Sequence, residues 1–221
     1  MLDSQSLVKL LEHKKLLIFD FDGTLADTSP LHARAFEEVL APYGITVDYH
    51  FIAGMKTSDA MKKCFATAGI VVSQDEIDAL VTAKQQRVRT LIQTELQPLQ
   101  GVDTFLRWAK QRYRLAMYSS GSRGTVSIAL DKLGYSGWFD PMLCSDDVAH
   151  AKPDPEGYLM ILRITGVSAK EVIVFEDSIS GLHAAQATQA SVLYIGQNLE
   201  DQNVQFVSTL TWTYINSVIG I

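Results

Sequence analysis

Short runs of apolar residues alternate along much of the chain with longer stretches of helical periodicity. The apolar runs occupy residues 15–20, 113–119, 141–145, 171–176 and 191–195. Runs of this length that end in polar or glycine residues are typical of strands buried on both faces of a sheet. The stretches between them, at 102–110, 124–133, 155–165 and 180–189, carry apolar residues at helical spacing. This alternation predicts an α/β fold built on a doubly wound parallel sheet.

One long segment breaks this alternation. From Pro30 to about Gln97 the sequence shows helical periodicity and no convincing buried strand. Helical spacing over 31–40, 58–68 and 75–96 favours a small helical bundle, and turn-rich sequences border it on both sides. We therefore expect a core made of residues 1–29 and 98–221 and an inserted α-helical subdomain made of residues 30–97.

Composition and charge narrow the classes of function. The 221 residues, 47% hydrophobic and 20% charged, are ordinary for a soluble protein. The net charge of −6 repels a polyanion, and no basic stripe is visible, so we expect no nucleic-acid partner. The two cysteines, Cys64 and Cys144, lack the spacing of a zinc site or a disulfide framework and are expected to be buried thiols.

The amino-terminal segment favours a cytoplasmic protein. Residues 1–15 have the pattern of an amphipathic helix capped near Asp3 or Ser4, and lysines follow it where a signal peptide would have a cleavage site. No apolar run approaches the length that crosses a bilayer. We expect no membrane partner, and a monomer or weak homodimer.

The first predicted strand ends in two closely spaced carboxylates. The sequence there is Asp20-Phe21-Asp22-Gly23-Thr24-Leu25, and strand periodicity places both acids on the same side, roughly 7 Å apart. A phosphoryl group fits that gap, so one carboxylate can attack phosphorus while the other meets the leaving oxygen. Gly23 permits the sharp turn that exposes both. A strand-end turn with two solvated acids is the alternative for this motif alone.

Three further polar motifs follow other predicted strands. They are Ser119-Ser120-Gly121-Ser122, which can bind phosphate oxygens, Lys152 between Ala151 and Pro153, and the adjacent acids Glu176-Asp177, which are hard oxygen ligands for Mg²⁺. Each has an ordinary alternative: a serine-rich turn, a solvated lysine and a helix cap. Open parallel sheets bind ligands at the carboxyl ends of their strands, so the motifs are expected to converge on one crevice. That convergence favours an enzyme.

These four motifs together resemble those of the haloacid dehalogenase-like hydrolase superfamily, in particular its phosphatases and β-phosphoglucomutase-like members with a helical cap. The resemblance covers nearly the whole chain and implies a Rossmann-like core. It implies Asp20 as nucleophile, Asp22 as general acid and then base, and Ser119 and Lys152 as phosphate ligands. We expect Ser120, beside Ser119, to bind the substrate phosphate as well. It further implies Mg²⁺ held by Asp20, by the backbone carbonyl of Asp22 and by Asp177, with Glu176 close by.

The charge balance of such a site predicts a shared proton. Four ionised carboxylates would bring four negative charges against two from Mg²⁺ and one from Lys152. Crowding by other carboxylates raises the pKa of an acid, so we expect one carboxyl to stay protonated, with Asp22 as the candidate. The resulting hypothesis is a phosphatase that forms an aspartyl phosphate on Asp20.

The substrate is less well defined by the sequence. His32 lies twelve residues after Asp20, the position of a substrate-contacting histidine in mutase and phosphatase members of the superfamily, although a polar residue in a first helical turn is an equal alternative. Mutases of this type carry an arginine after a glycine in the next cap segment, where this chain has Gly54-Met55-Lys56-Thr57. That departure favours hydrolysis of small monoesters, with sugar phosphates as the expected class. A phosphosugar mutase and a non-catalytic phosphate-binding relative stay open.

Overall fold

The computed structural model describes residues 3–53, 55–196 and 209–221. The chain divides into two compact units. Residues Met1–Asp27 and Gln97–Ile221 form one, here named the sheet unit, and Thr28–Leu96 form the other, here named the helical unit. Met1, Leu2 and Gly54, which belong to segments interpreted above, lie outside the described residues.

A parallel six-stranded sheet is the frame of the sheet unit. Its strands are β1 (Leu16–Phe19), β2 (Arg114–Tyr118), β3 (Met142–Leu143), β4 (Val172–Glu176), β5 (Ser191–Ile195) and β6 (Thr209–Leu210). Their order across the sheet is β3-β2-β1-β4-β5-β6, and every neighbouring pair is parallel. The first strand therefore lies at the centre, between β2 and β4, as in Rossmann-like folds. The predicted doubly wound α/β fold is confirmed, and β6 adds a strand that we did not predict.

Helices cover both faces of this sheet. They are α1 (Ser4–Glu12), α5 (Val102–Lys110), α6 (Arg123–Leu133), α7 (Glu156–Thr165), α8 (Ile179–Ala187) and α9 (Trp212–Ile219). Alternate side chains of β1 point to opposite faces. Leu16 and Ile18 join a buried cluster with Tyr158 of α7 and Ala184 of α8, whereas Phe19 packs against aromatic rings of α5 and α9.

The amino-terminal helix begins at a side-chain cap, as its sequence predicts. The carboxylate of Asp3 accepts a hydrogen bond from the backbone N–H of Ser6 at 2.8 Å. This satisfies one of the donors that every helix leaves open at its start. Leu7 and Leu11 of this helix are buried, which confirms the amphipathic pattern.

The helical unit contains α2 (Ser29–Leu40), α3 (Thr57–Thr67) and α4 (Gln74–Glu95). These three helices match the three predicted helical stretches. The unit has a core of its own, formed by Phe36, Leu40, Ile45, Val47, Ile52, Ala60, Met61, Cys64, Phe65 and Ile77. Half-exposed ion pairs on its surface join Arg34 to Glu95 and Arg87 to Glu38, and pairs of this kind add little to stability.

Both cysteines are buried free thiols, which agrees with the expectation from their spacing. None of the described helices combines the length and the apolar character that crossing a bilayer requires.

Candidate active site

The predicted site residues of the sheet unit lie at the carboxyl ends of strands or in the loops that follow them. Asp20 comes directly after β1, Ser119 directly after β2, and Lys152 lies in the loop that follows β3. Glu176 is the last residue of β4, and Asp177 comes next. Because the strands are parallel, these residues lie at one edge of the sheet, and the hydrogen bonds below show which of them meet.

Lys152 links two of the predicted acids. Its ammonium Nζ lies 2.5 Å from Asp20 Oδ1 and 2.5 Å from Glu176 Oε1, and it also donates to the backbone carbonyl of Tyr118 at 3.2 Å. Its side chain is only 3% exposed. The rings of Tyr118 and Tyr158 lie 4.9 and 5.4 Å from the ammonium. The lysine is therefore a buried cation held between two carboxylates, which excludes the solvated alternative.

Glu176 is completely buried and accepts five hydrogen bonds. Oε1 accepts from Lys152 and from the hydroxyl of Tyr158 at 2.8 Å. Oε2 accepts from the backbone N–H of Asp177 and from the N–H and hydroxyl of Ser178, at 3.0 to 3.1 Å. A Cβ atom on Gly181 would lie 1.8 Å from Oε1. The carboxylate thus has one fixed position.

Asp177 lies against the turn that follows the first strand. Its Oδ1 accepts a hydrogen bond from the hydroxyl of Thr24 at 3.1 Å. Gly23 has φ +84°, and a Cβ atom there would lie 1.9 Å from Asp177 Oδ2. Glycine is required at this position, both for the backbone conformation and for the close approach of the carboxylate.

Asp22 and Ser119 form a second contact at the same edge. The hydroxyl of Ser119 donates to Asp22 Oδ2 at 3.3 Å and accepts from the backbone N–H of Gly121 at 2.9 Å. Ser119 is fully buried, Asp22 is half-buried, and Ser120 is exposed beside them. The serine loop after β2 therefore meets the second carboxylate of the first motif.

Burial and mutual repulsion raise the pKa values of two carboxyls. Burial raises the pKa of Asp20 well above its ordinary value, and although Lys152 lowers it, the neighbouring acids raise it further. Burial, followed by repulsion from Glu176, raises the pKa of Asp177 to about 7. Burial lowers the pKa of Lys152, but Asp20 and Glu176 outweigh it and the net shift is upward. Assignment of a shared proton to Asp22 stays a prediction.

His32 belongs to the helical unit, on α2, where it is half-buried. Its Nδ1 lies 2.9 Å from Nζ of Lys84, a lysine of α4 that is only 2% exposed. The same ammonium lies 4.6 Å from the centre of the Phe36 ring. Lys56, the substitute considered for the mutase arginine, is exposed at the N-cap of α3.

The sequence of the chain also matches a known protein family. The sequence model of the haloacid dehalogenase-like hydrolase family matches residues 17–195. The chain belongs to the haloacid dehalogenase-like hydrolase family. The resemblance stated from the four motifs is thereby confirmed.

Several family members are similar over most of their length. The chain is 34% identical over 173 residues to the fructose-1-phosphate phosphatase YqaB of Escherichia coli, covering 77% of this chain and 90% of that protein. It is 33% identical over 182 residues to a phosphorylated carbohydrates phosphatase of Thermotoga maritima, covering 80% and 83%. Among solved structures, CbbY of Rhodobacter sphaeroides in complex with phosphate superposes with a TM-score of 0.75 at 25% identity, covering 89% of this chain and 92% of that one.

The acidic cluster of this family member fits a divalent cation. Asp20, Glu176 and Asp177 each offer a carboxylate oxygen, and these atoms lie within 4.8 Å of one another. Carboxylate oxygens are the ligands that hard cations such as Mg²⁺ prefer. Burial and neighbouring acids raise the pKa values of Asp20 and Asp177, and a cation bound beside these carboxylates would favour their ionised forms.

Sequence reasoning missed two side chains that order the acidic cluster of the sheet unit and, separately, one neighbour of His32 in the helical unit. They are Thr24, which donates to Asp177, Tyr158, which donates to Glu176, and Lys84, which contacts His32. Thr24 stands inside the first motif and could have been named from its place beside Gly23. Tyr158 and Lys84 occupy ordinary positions in helical patterns, and their partners are distant in sequence, so no local signal identifies them.

The raised pKa of Asp177 predicts how the stability of the cation-free protein depends on pH. Its pKa is 3.8 ordinarily and about 7 in the folded chain, so between these values the folded state binds more protons than the unfolded state. Stability contributed by this group therefore falls as pH rises from about 4 to 7. When unfolding by urea is measured in EDTA, the free energy of unfolding of wild type should fall relative to that of Asp177→Asn as pH rises from 5 to 8.

Addition of a divalent cation at pH 8 should restore the stability of wild type more than that of Asp177→Asn. A difference between the two proteins that is independent of pH would contradict the assignment.

Proposed function

We propose that the chain is a Mg²⁺-dependent phosphatase that hydrolyses small phosphate monoesters, most specifically sugar phosphates. The observation that carries this proposal is the buried carboxylate of Asp20, held by Lys152 at the end of the central strand. Phosphatase activity on phosphorylated sugars is the named activity of the two similar enzymes from E. coli and T. maritima, and their likeness to this chain supports the same substrate class here.

The proposed reaction has two steps, and Asp20 and Asp22 divide the work. A carboxylate oxygen of Asp20 forms a bond to phosphorus while the bond from phosphorus to the ester oxygen breaks, and Asp22 gives its proton to the departing alkoxide. In the second step Asp22 takes up a proton from a water whose oxygen forms a bond to phosphorus, while the bond from phosphorus to the Asp20 oxygen breaks and inorganic phosphate leaves. Asp20 and Asp22 return to their starting states.

Charge neutralisation is the main requirement of such a reaction. Lys152 supplies one fixed positive charge, and its position is set by Glu176 and two tyrosine rings. Ser119 and Ser120, at the turn after β2, are the proposed ligands for the other phosphoryl oxygens. The backbone N–H groups of such a loop can also donate hydrogen bonds to phosphate oxygens.

Mg²⁺ would be held by Asp20, by the backbone carbonyl of Asp22 and by Asp177, with Glu176 beside them. When bound, the cation supplies positive charge that lowers the repulsion between the phosphoryl group and the acids. The surrounding residues position the ligands. Thr24 orients the carboxylate of Asp177, and Glu176 is hydrogen-bonded to Lys152.

We further propose that the helical unit is the cap of this enzyme and contributes to the choice of substrate through His32. Because the ammonium of Lys84 donates to Nδ1, a neutral His32 carries its own proton on Nε2. We propose that the imidazole contacts a hydroxyl group of the sugar.

A panel of phosphorylated metabolites tests the function. We expect release of inorganic phosphate from hexose and pentose monophosphates in the presence of Mg²⁺, and none when EDTA replaces the cation. Phosphate release unaffected by EDTA would contradict the cation requirement. Phosphate released only from compounds without a sugar would contradict the substrate class but leave the phosphatase proposal standing.

The same panel distinguishes the alternatives. A phosphosugar mutase would convert one hexose phosphate into its isomer, detected by ³¹P NMR, with little free phosphate. A non-catalytic relative would show no turnover and no trapping of Asp20 by beryllium fluoride. Either result would overturn the proposed hydrolysis.

A further inference from the structure

A side chain from outside the family match reaches into the first motif. The matched segment ends at residue 195, yet the indole N–H of Trp212, the first residue of α9, donates to the backbone carbonyl of Thr24 at 2.7 Å. Both residues are buried, with 2% of Trp212 and none of Thr24 exposed. An indole N–H can only donate, and a buried donor needs a partner. This bond therefore fixes the turn after β1 from the carboxyl-terminal helix.

A second hydrogen bond connects Thr24 to the proposed cation site. Thr24, whose carbonyl accepts from Trp212, uses its hydroxyl to donate to Asp177 Oδ1 at 3.1 Å. Two hydrogen bonds in series thus connect α9 to a carboxylate of the acidic cluster. Since Gly23 leaves no room between the turn and Asp177, a shift of the turn would move the carboxylate with it.

The indole itself has little freedom to move. Its ring centre lies 4.8 Å from that of Phe105 and 5.1 Å from that of Phe175. A Cβ atom on Gly101 would lie 3.1 Å from Cβ of Trp212, so the helix backbone packs closely on this turn. Asn216 of the same helix donates to the carbonyl of Gly101 at 2.9 Å. The helix therefore presents the indole N–H from a rigid position.

We propose that Trp212 is a positioning residue for the cation site: it fixes Thr24, and the hydroxyl of Thr24 orients the carboxylate of Asp177. This inference rests on the proposed function for the identity of the cation. Residues that orient a metal ligand typically affect metal affinity tenfold to a hundredfold. The family match alone would not include Trp212, because it lies beyond the matched residues.

Isothermal titration of the purified chain with Mg²⁺ tests the inference without relying on turnover. Trp212→Phe keeps an aromatic ring and removes the N–H, and Thr24→Val keeps the shape of the side chain and removes the hydroxyl. Each should weaken Mg²⁺ binding by about tenfold to a hundredfold. Trp108→Phe makes the same chemical change on α5, in a half-buried position, and should leave the affinity unchanged. Thr24→Ser keeps the hydroxyl and should bind Mg²⁺ nearly as well as wild type.

The double variant distinguishes a chain of two bonds from two separate effects. If Trp212 acts through the hydroxyl of Thr24, Trp212→Phe should weaken Mg²⁺ binding little further in the Thr24→Val background. Losses that multiply in the double variant would overturn the inference.

Three other outcomes would also overturn it. A Trp212→Phe variant with a lower melting temperature in EDTA but unchanged Mg²⁺ affinity would identify Trp212 as a merely structural residue. If Trp212→Phe does not fold, equal affinities of Thr24→Val and Thr24→Ser decide against the inference. Absence of Mg²⁺ binding in wild type would contradict both the proposed cofactor and the inference. A failure of the inference alone would appear only in the variants, so the two failures can be distinguished.

Discussion

Asp20→Asn is expected to lower the rate of phosphate release by at least about four orders of magnitude, because the amide cannot form the acyl phosphate. The change keeps the shape of the side chain. Lys152 also keeps its second partner, Glu176, at 2.5 Å. We therefore expect the variant to fold and to bind a phosphorylated substrate. Single-turnover measurement of released phosphate, together with mass spectrometry for a phosphorylated aspartate, checks both statements.

Asp27→Asn is the matched control for this prediction. Asp27 lies in the same loop but is exposed, so the same loss of one carboxylate should change the rate less than about twofold, as for most surface substitutions. A fast rate in Asp20→Asn would show that the nucleophile is another group, and an equal loss in both variants would show that the effect is not specific to Asp20.

The sequence was sufficient to locate five of the six strands and the polar residues that follow them. Buried apolar runs and the polar residues at their ends are local features, and the parallel sheet then places those ends at one edge. This is why Lys152 could be named although, as a lone lysine, it has an ordinary solvated alternative. Its contact with both Asp20 and Glu176 gives physical support to the convergence that the four motifs indicated.

Other parts of the site depend on packing between distant segments. Tyr158 reaches Glu176 because α7 packs on the strands, and Trp212 reaches Thr24 because α9 packs on Gly101. A helical tyrosine or tryptophan carries no sequence signal for the group that it will donate to. The two-residue strand β6 and the helix α9 after it were also missed.

The same packing explains why the acids and the lysine must be considered together. Asp20 is buried beside other carboxylates, and burial alone disfavours its ionised form. Lys152 opposes that effect, while Glu176 fixes the lysine and is itself fixed by Tyr158 and Ser178. The proposed nucleophile Asp20 is thus held by Lys152, itself a proposed phosphate ligand, and that lysine is fixed in turn by groups with no proposed contact with the substrate.

Lys152→Met is therefore expected to damage both activity and stability. Loss of the ammonium removes a proposed phosphate ligand and should lower the rate by about a thousandfold. It also leaves two buried carboxylates, 8% and 0% exposed, without their shared cation. Breaking a buried ion pair from one side costs about 3–5 kcal/mol of unfolding free energy. Urea unfolding with EDTA at neutral pH measures this loss.

The pH dependence of that loss identifies its cause. Burial already raises the pKa of Asp20, and Lys152 partly opposes this shift. Removal of Lys152 should therefore raise the pKa of Asp20 further. A folded state that holds extra protons becomes less stable as pH rises, so the deficit of Lys152→Met should be larger at pH 8 than at pH 5. Lys15→Met removes the lysine of an exposed ion pair with Glu171, where Nζ is 2.5 Å from the carboxylate, and should cost less than about 1 kcal/mol at either pH. Similar losses in the two variants, or a deficit that does not change with pH, would mean that Lys152 does not hold the charges of this cluster in balance.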